Sequence, residues 1–243
     1  MTVDLADSNQ FYIFPVSDLH YGSNWFNKEV FTEWENAFES VWDNKCIYLL
    51  GDLLEFPSTK VNAWESNLST EDAVNQVIEM FEPYKDYVRI VASGNHEIRG
   101  KKDFNFDVTK VIAKQLGAKY TRNDFFDRID INGSDFIVYG KHGTETSKYT
   151  DLAMKNFKIS MGNVDAHLYM QGHNHYADFS QKFQRDFKGG YMKSYAFTGH
   201  FMDYKNSYAH NRGMTVSPPA FLRIGVNQDL NVSAKKFIGD CKV

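Results

Sequence analysis

What most constrains this chain is an ordered set of five short motifs, each placed just after a strand-like apolar run. They are Asp18-Leu19-His20-Tyr21-Gly22, Gly51-Asp52-Leu53-Leu54-Glu55, Gly94-Asn95-His96-Glu97, His142-Gly143 and Gly172-His173-Asn174-His175. In α/β proteins the loops beyond the carboxyl ends of strands gather on one side of the sheet, so motifs distant in sequence are expected to converge there. Five of the chain's eight histidines lie inside the motifs. Imidazole nitrogen and carboxylate oxygen suit borderline and hard divalent cations, whereas thiolate selects softer ones. Neither cysteine lies in a motif.

The apolar runs are Phe11 to Val16, Cys46 to Leu50, Val88 to Ala92, Phe136 to Tyr139 and Leu168 to Met170, rich in β-branched and aromatic residues and short enough for buried strands. Residues at helical spacing separate them. Val30, Phe31, Trp34, Ala37, Phe38 and Val41 form one stripe, and Ala73, Val74, Val77, Ile78 and Phe81 a second. Val108, Val111, Ile112 and Leu116 form a third, with Gly117 as its stop. Ser69 or Thr70 caps the second helix and Pro83 is expected to end it. Strands alternating with helices predict an α/β architecture, sheet covered by helices. After His175, aromatic and polar residues alternate from Tyr176 to Phe187 and from Tyr191 to Phe201, which predicts a second sheet with long loops.

At 243 residues the chain can bury roughly 70% of its unfolded surface in one core, so residues 1–243 are expected to form a single domain. No apolar stretch approaches the roughly 20 residues that span a bilayer. Met1 to Gln10 carries Asp4 and Asp7 and lacks a basic flank with an apolar segment, which argues against a secretory signal and for a cytoplasmic protein. Cys46 and Cys241 are expected to remain thiols. A net charge of −4 disfavours a broad nucleic-acid-binding surface.

The motif series resembles that of the calcineurin-like metallophosphoesterase superfamily, which runs D-x-H, G-D-x-x-D/E, G-N-H-D/E, H and G-H-x-H. The resemblance spans Phe11 to His175, and the tail from Thr198 to Tyr204 is similar to that of phage-encoded and bacterial relatives. It implies a two-sheet β-sandwich flanked by helices, a distinction that periodicity alone does not make from a single doubly wound sheet. It also implies two divalent cations, manganese first, with iron, zinc or magnesium as alternatives. Asp18, His20, Asp52 and His175 would hold one ion; Asp52, Asn95, His142 and His173 the other. Asp52 would be shared, since a carboxylate has two oxygens and can hold two cations. His96 would be the general acid or electrostatic catalyst, oriented by Glu97, with a hydroxide between the ions as nucleophile. Glu55 is the weakest motif member, a contact behind the ligands or an exposed carboxylate.

The implied activity is phosphoester hydrolysis, with a phosphodiester, nucleotide or nucleic-acid substrate ahead of a phosphomonoester or pyrophosphate on a small molecule. The competing class is a non-catalytic scaffold, disfavoured because every expected ligand is present. No membrane attachment and no obligate protein partner is indicated. Arg99, near Lys101 and Lys102, and His200 are candidate substrate contacts, while His167 and His210 are less constrained. Glu55-Phe56-Pro57 and Ser93 stand where the family's protein phosphatases carry other residues, which argues against protein dephosphorylation.

Overall fold

The computed structural model describes residues 1–5, 10–42, 44–56, 68–144, 149–185, 187, 189–203 and 217–239. In chain order the elements are β1 (Thr2–Val3), β2 (Gln10–Val16), α1 (Lys28–Glu39), β3 (Lys45–Leu50), α2 (Thr70–Phe81), β4 (Val88–Ala92), α3 (Asn95–Phe104), α4 (Val108–Gln115), β5 (Lys119–Thr121), β6 (Asp124–Ile131), β7 (Ser134–Lys141), α5 (Thr150–Ser160), β8 (Leu168–Gln171), β9 (Ala177–Gln184), β10 (Tyr191–His200), β11 (Ala220–Asn227) and β12 (Val232–Ile238).

The strands make one hydrogen-bonded path, β1-β6-β7-β8-β10-β11-β2-β3-β4-β5, with β9 added on β10 and β12 on β11. The path curls at β10 and β11, which pair only through Gly199 with Phe221 and His200 with Ala220. The halves on either side of this joint face each other. Period-two alternation then sends each central strand's side chains to two different layers. In β3, Cys46, Tyr48 and Leu50 point between the sheets and meet Ile129, Phe136, Val138, Leu168 and Met170 of the other half. Ile47 and Leu49 point outward into a layer with Trp34, Phe38, Val77, Phe81 and Ile112 from α1, α2 and α4. On the far side, Ile137, Tyr139 and Tyr169 pack under Met154 and Phe157 of α5. All six residues of β3 are therefore buried, as a strand covered on both faces must be. The result is the helix-flanked sandwich.

Helix boundaries follow local chemistry. The Asn27 side chain accepts from the Val30 N–H at the start of α1, and Ser69 accepts from Asp72 at the start of α2. The α-helix ends at Phe81, just before Pro83 as expected, while the chain winds on as 3-10. Pro83 sits in the first turn of this segment, Glu82–Tyr87, where its missing N–H has no partner to lose. Past α4, Gly117 takes φ +67°, and the following N–H of Ala118 reaches back to the Ala113 carbonyl at 2.9 Å.

The partition of strands differs from the expectation that the second sheet begins after His175. It begins at β6: β7 and β8 pair in parallel, β8 pairs with β10, and β9 closes on β10. The C-terminal β11 instead returns antiparallel to β2, beside the N-terminal half. Cys46 is a buried free thiol, and burial pushes it well above the ordinary thiol range. Cys241 and His210 lie outside the described residues. Among the described residues no helix is long and apolar enough to cross a membrane.

Candidate metal centre

Each motif directly follows its strand, the third entering the first turn of α3, and these segments are stitched together. Asp18 N–H donates to Gly51 O at 3.0 Å, His20 N–H to Asp52 O at 3.0 Å, and Tyr21 N–H to Leu53 O at 2.9 Å, so the loops after β2 and β3 run side by side past the sheet edge. Glu97 binds the third loop to the second: its carboxylate accepts from the backbone of Asp52 (3.0 Å), Leu54 (3.1 Å) and Gly94 (2.8 Å). This approach demands glycine. A Cβ on Gly94 would lie 2.1 Å from Asp52 N, and one on Gly51, at φ +86°, would lie 2.4 Å from Gly94 N.

The backbone is strained where the side chains converge. Asp18, His20, Asp52, His173 and His175 all have φ between +47° and +67°. The left-handed region costs a non-glycine residue of order 1 kcal/mol or more and clusters at functional sites. Five such residues at one end of the sandwich mark a constellation held in place by its surroundings.

Three groups of donor atoms result, Asp18 with His20 and His175, Asp52 with His142 and His173, and His20 with Glu55 and His96, of which the first two match the expected ligand sets. In the first, Asp18 Oδ1 stands 3.2 Å from His175 Nε2 and 4.0 Å from His20 Nε2, and the two imidazole nitrogens are 3.3 Å apart. In the second, Asp52 Oδ2 is 3.2 Å from His142 Nε2. The Asn95 amide stands 3.1 Å from Asp52 Oδ2, 2.8 Å from His173 Nδ1 and 3.0 Å from His142 Nε2, where hydrogen bonding assigns its nitrogen as donor and its oxygen as acceptor from Arg99 Nη2. His20 Nε2 approaches the same Asp52 Oδ2 to 3.9 Å. A single carboxylate oxygen thus faces both of these groups. The other, Oδ1, accepts the His96 backbone N–H at 2.8 Å.

The far sides of the rings are committed elsewhere. His142 Nδ1–H donates to Leu50 O at 2.8 Å, and His20 Nδ1 meets Glu55 Oε2 at 2.7 Å, which turns both Nε2 lone pairs inward. Ser17 Oγ and the His173 N–H hold Asp18 Oδ2 at 2.5 and 2.9 Å, while Asp18 Oδ1 is buried with no hydrogen-bond partner. Converging lone pairs with an orphaned buried carboxylate oxygen fit a divalent cation in each of the first two groups. The electrostatics agree. Burial opposes charge on the His142 ring, yet Asp52, Asp18 and Glu97 outweigh it and push the ring up to about 10. For Asp18, burial is outweighed by His175 and His142, and the carboxyl stays well below the usual range. Burial and the neighbouring His142 hold His173 below its ordinary value.

Glu55 is the residue that sequence reasoning placed least well. It is buried, and its two oxygens divide between His20 and His96, with Oε1 3.2 Å from His96 Nδ1. Burial penalises its charge, but the two histidines more than compensate and hold it well below the normal carboxyl range. Glu97, expected to orient His96, spends its oxygens on backbone instead. The fifth position of the second motif was the available signal, since Glu55 N–H is zipped to Tyr21 O at 2.9 Å beside the first motif. Burial lowers the His96 ring, whereas Asp52 and Glu55 more than offset this and raise it.

The two expected substrate contacts part company. Arg99, one turn along α3, has its guanidinium Nη2 3.0 Å from the Asn95 amide, at the edge of the second group. His200 is fully buried, its ring stacked on His175 at 5.2 Å and 23°. It backs a donor ring and does not line the cleft. Burial and the neighbouring His175 lower it to about 3. His167 stands just before β8, with Nδ1 accepting from Ile137 N–H at 2.9 Å.

The family model for calcineurin-like phosphoesterase matches residues 12–204, and the chain belongs to that family, the metal-dependent phosphoester hydrolases. Among solved structures, a metallophosphoesterase from Sphaerobacter thermophilus aligns with TM-score 0.52 and 15% identity over 96% of this chain and 90% of that one. The NAD nucleotidase of Haemophilus influenzae aligns with TM-score 0.51 and 10% identity over 94% of this chain and 50% of that one. Vacuolar Protein Sorting 29 from Cryptosporidium parvum aligns with TM-score 0.47 and 13% identity over 96% of this chain and 100% of that one. At these identities the likeness is one of fold. No curated protein matches the chain.

Proposed function

We propose that the protein is a dinuclear phosphoester hydrolase whose substrate is a phosphodiester or nucleotide. Asp18, His20, Asp52 and His175 would hold one ion, and Asp52, Asn95, His142 and His173 the other, with manganese as the expected metal. The observation that carries this reading is the single Asp52 oxygen facing both donor groups. When bound, two divalent ions polarise the phosphoryl oxygens and lower the pKa of a coordinated water enough to make it nucleophilic near neutral pH.

The chain's own contribution is position and proton management. Strained turns and backbone zippers fix the donors before substrate arrives, so little reorganisation is needed during reaction. His96 is anchored through its backbone N–H on Asp52, and its Nδ1 faces Glu55. Its Nε2 is left to protonate or stabilise the departing oxygen. Arg99 stands where a phosphoryl oxygen beside Asn95 would meet a guanidinium.

The test is turnover of bis(p-nitrophenyl) phosphate and p-nitrophenyl phosphate after manganese loading, with bound metal measured in parallel. Turnover should require metal, and His96→Gln should reduce kcat while metal content is retained. Loss of metal in His96→Gln would reassign that residue, and inactivity of the loaded wild type on both esters would overturn the reading.

A further inference from the structure

A cavity of about 340 Å³ opens beside the second donor group, with Asn95 and His142 in its wall. A larger one, about 580 Å³, lies between α5 and β9, but none of its lining residues belongs to either group. The smaller cavity is bounded by Ile98 of α3, Tyr139 of β7, and Arg122 and Asn123 in the turn between β5 and β6. Its volume is at the small end for organic ligands, about 300–1,000 Å³, and accommodates one nucleoside-sized group.

The chemistry of the wall narrows the occupant. Ile98 gives it apolar surface, and the largely buried Tyr139 meets it at an edge. Arg122 is exposed on its turn, and its guanidinium makes no hydrogen bond or ion pair with any described residue. A guanidinium plane stacks well on an aromatic heterocycle, and the Asn123 amide can both donate to and accept from a base edge. The same wall holds the Asp124 carboxylate, which accepts from Tyr139 O–H at 2.8 Å. A second phosphate placed there would face that anion as well as Arg122 and Lys141, whereas an uncharged base meets no like charge. His96 is absent from the wall and stands with His20 and Glu55, ring centroids 4.6 Å from His20. The leaving group belongs on the His96 side, so the cavity receives the group retained on phosphorus.

We propose that this cavity is a nucleoside subsite, with Arg122 and Asn123 as specificity-determining residues that hold the base of a nucleoside 5′-phosphoester. The inference rests on the hydrolase reading above and deepens it.

The experiment compares kcat/KM in manganese for two diesters with one leaving group, thymidine 5′-(p-nitrophenyl phosphate) and methyl p-nitrophenyl phosphate. The wild type should prefer the thymidine ester by about tenfold or more, chiefly through KM, the scale of one base stacked on a side chain. Arg122→Ala should remove most of that preference and Asn123→Ala a smaller part. Arg122→Lys keeps the charge without the plane, so its preference should stay low. Restored preference in Arg122→Lys would mean that the guanidinium plane does not hold the base, and would overturn Arg122 as the stacking residue. Equal kcat/KM for the two esters in the wild type, or an unchanged preference in Arg122→Ala, would overturn the subsite while leaving hydrolysis intact. Turnover of neither ester would instead overturn the hydrolase reading and the subsite with it.

Discussion

Two buried polar clusters in this molecule contain similar groups arranged to opposite ends. Between the sheets, Asp127 of β6 takes Arg89 of β4 on both oxygens, Nε to Oδ2 at 2.5 Å and Nη2 to Oδ1 at 2.7 Å, while Tyr48 O–H donates to Oδ2 at 2.7 Å. Here one cation and one hydroxyl satisfy one carboxylate. At the sheet end, Asp18 and Asp52 aim oxygens at histidine nitrogens, and His142 and His20 turn their Nδ1 atoms away to other partners. The first cluster is closed and ties the sheets together; the second has surplus lone pairs and is completed only by added positive charge. Buried carboxylates alone therefore identify no site. The count of donors available to them does.

Breaking each cluster should produce a different failure. Asp52→Asn removes the charge common to both donor groups, and both ions should be lost from the purified protein with turnover falling on the order of a thousandfold or more, read by metal analysis and kcat. Asp127→Asn should instead retain metal and chemistry but lose about 3–5 kcal/mol of stability in urea unfolding, since it strands Arg89 without its partner. Saturating manganese should raise the unfolding free energy of the wild type by about 2.7 kcal/mol at a hundred times Kd and leave that of Asp52→Asn unchanged, a difference visible in Tm before and after chelation. Glu55→Gln keeps the size of the side chain but weakens its hold on His20 and His96, so metal affinity or kcat should drop about 10–100-fold.

The smallest effect concerns pH. Burial raises the Asp127 carboxyl, but Arg89 and Tyr48 outweigh burial and lower it below the ordinary value. A depressed folded-state pKa gives stability that is complete above the unfolded value, about 3.9, and is lost as pH falls through the folded one. Urea midpoints of the wild type should therefore decline below about pH 4 with a component that is missing in Asp127→Asn. Parallel slopes would mean that the closed cluster adds no acid sensitivity.

The motifs were legible because ligand chemistry, glycine and a preceding apolar run coincide in each. The central strands were legible because a segment covered on both faces is apolar throughout. Other parts left weaker traces. α3 begins inside the third motif, and Asn95–Phe104 carries no apolar stripe; its Gly100 lies so close to the Phe56 ring that a Cβ would come within 2.6 Å. α5 buries only Ala153, Met154 and Phe157, too short a stripe to stand out. Strand order was not legible at all, because the return of β11 to β2 depends on contacts across more than 200 residues of chain. The exchange of duties between Glu55 and Glu97 had the same origin: both are acidic motif members, and only the folded loops decide which one meets imidazole and which meets amide.

The left-handed turns carry an implication for how such a chain tolerates change. Glycine at Asp18, His20, Asp52, His173 or His175 would relax the backbone locally while deleting a donor, so in the absence of metal some inactive variants should be sturdier than their parent. A screen for heat tolerance alone would then enrich sequences that no longer work, and only selection for turnover would keep the five awkward side chains in place.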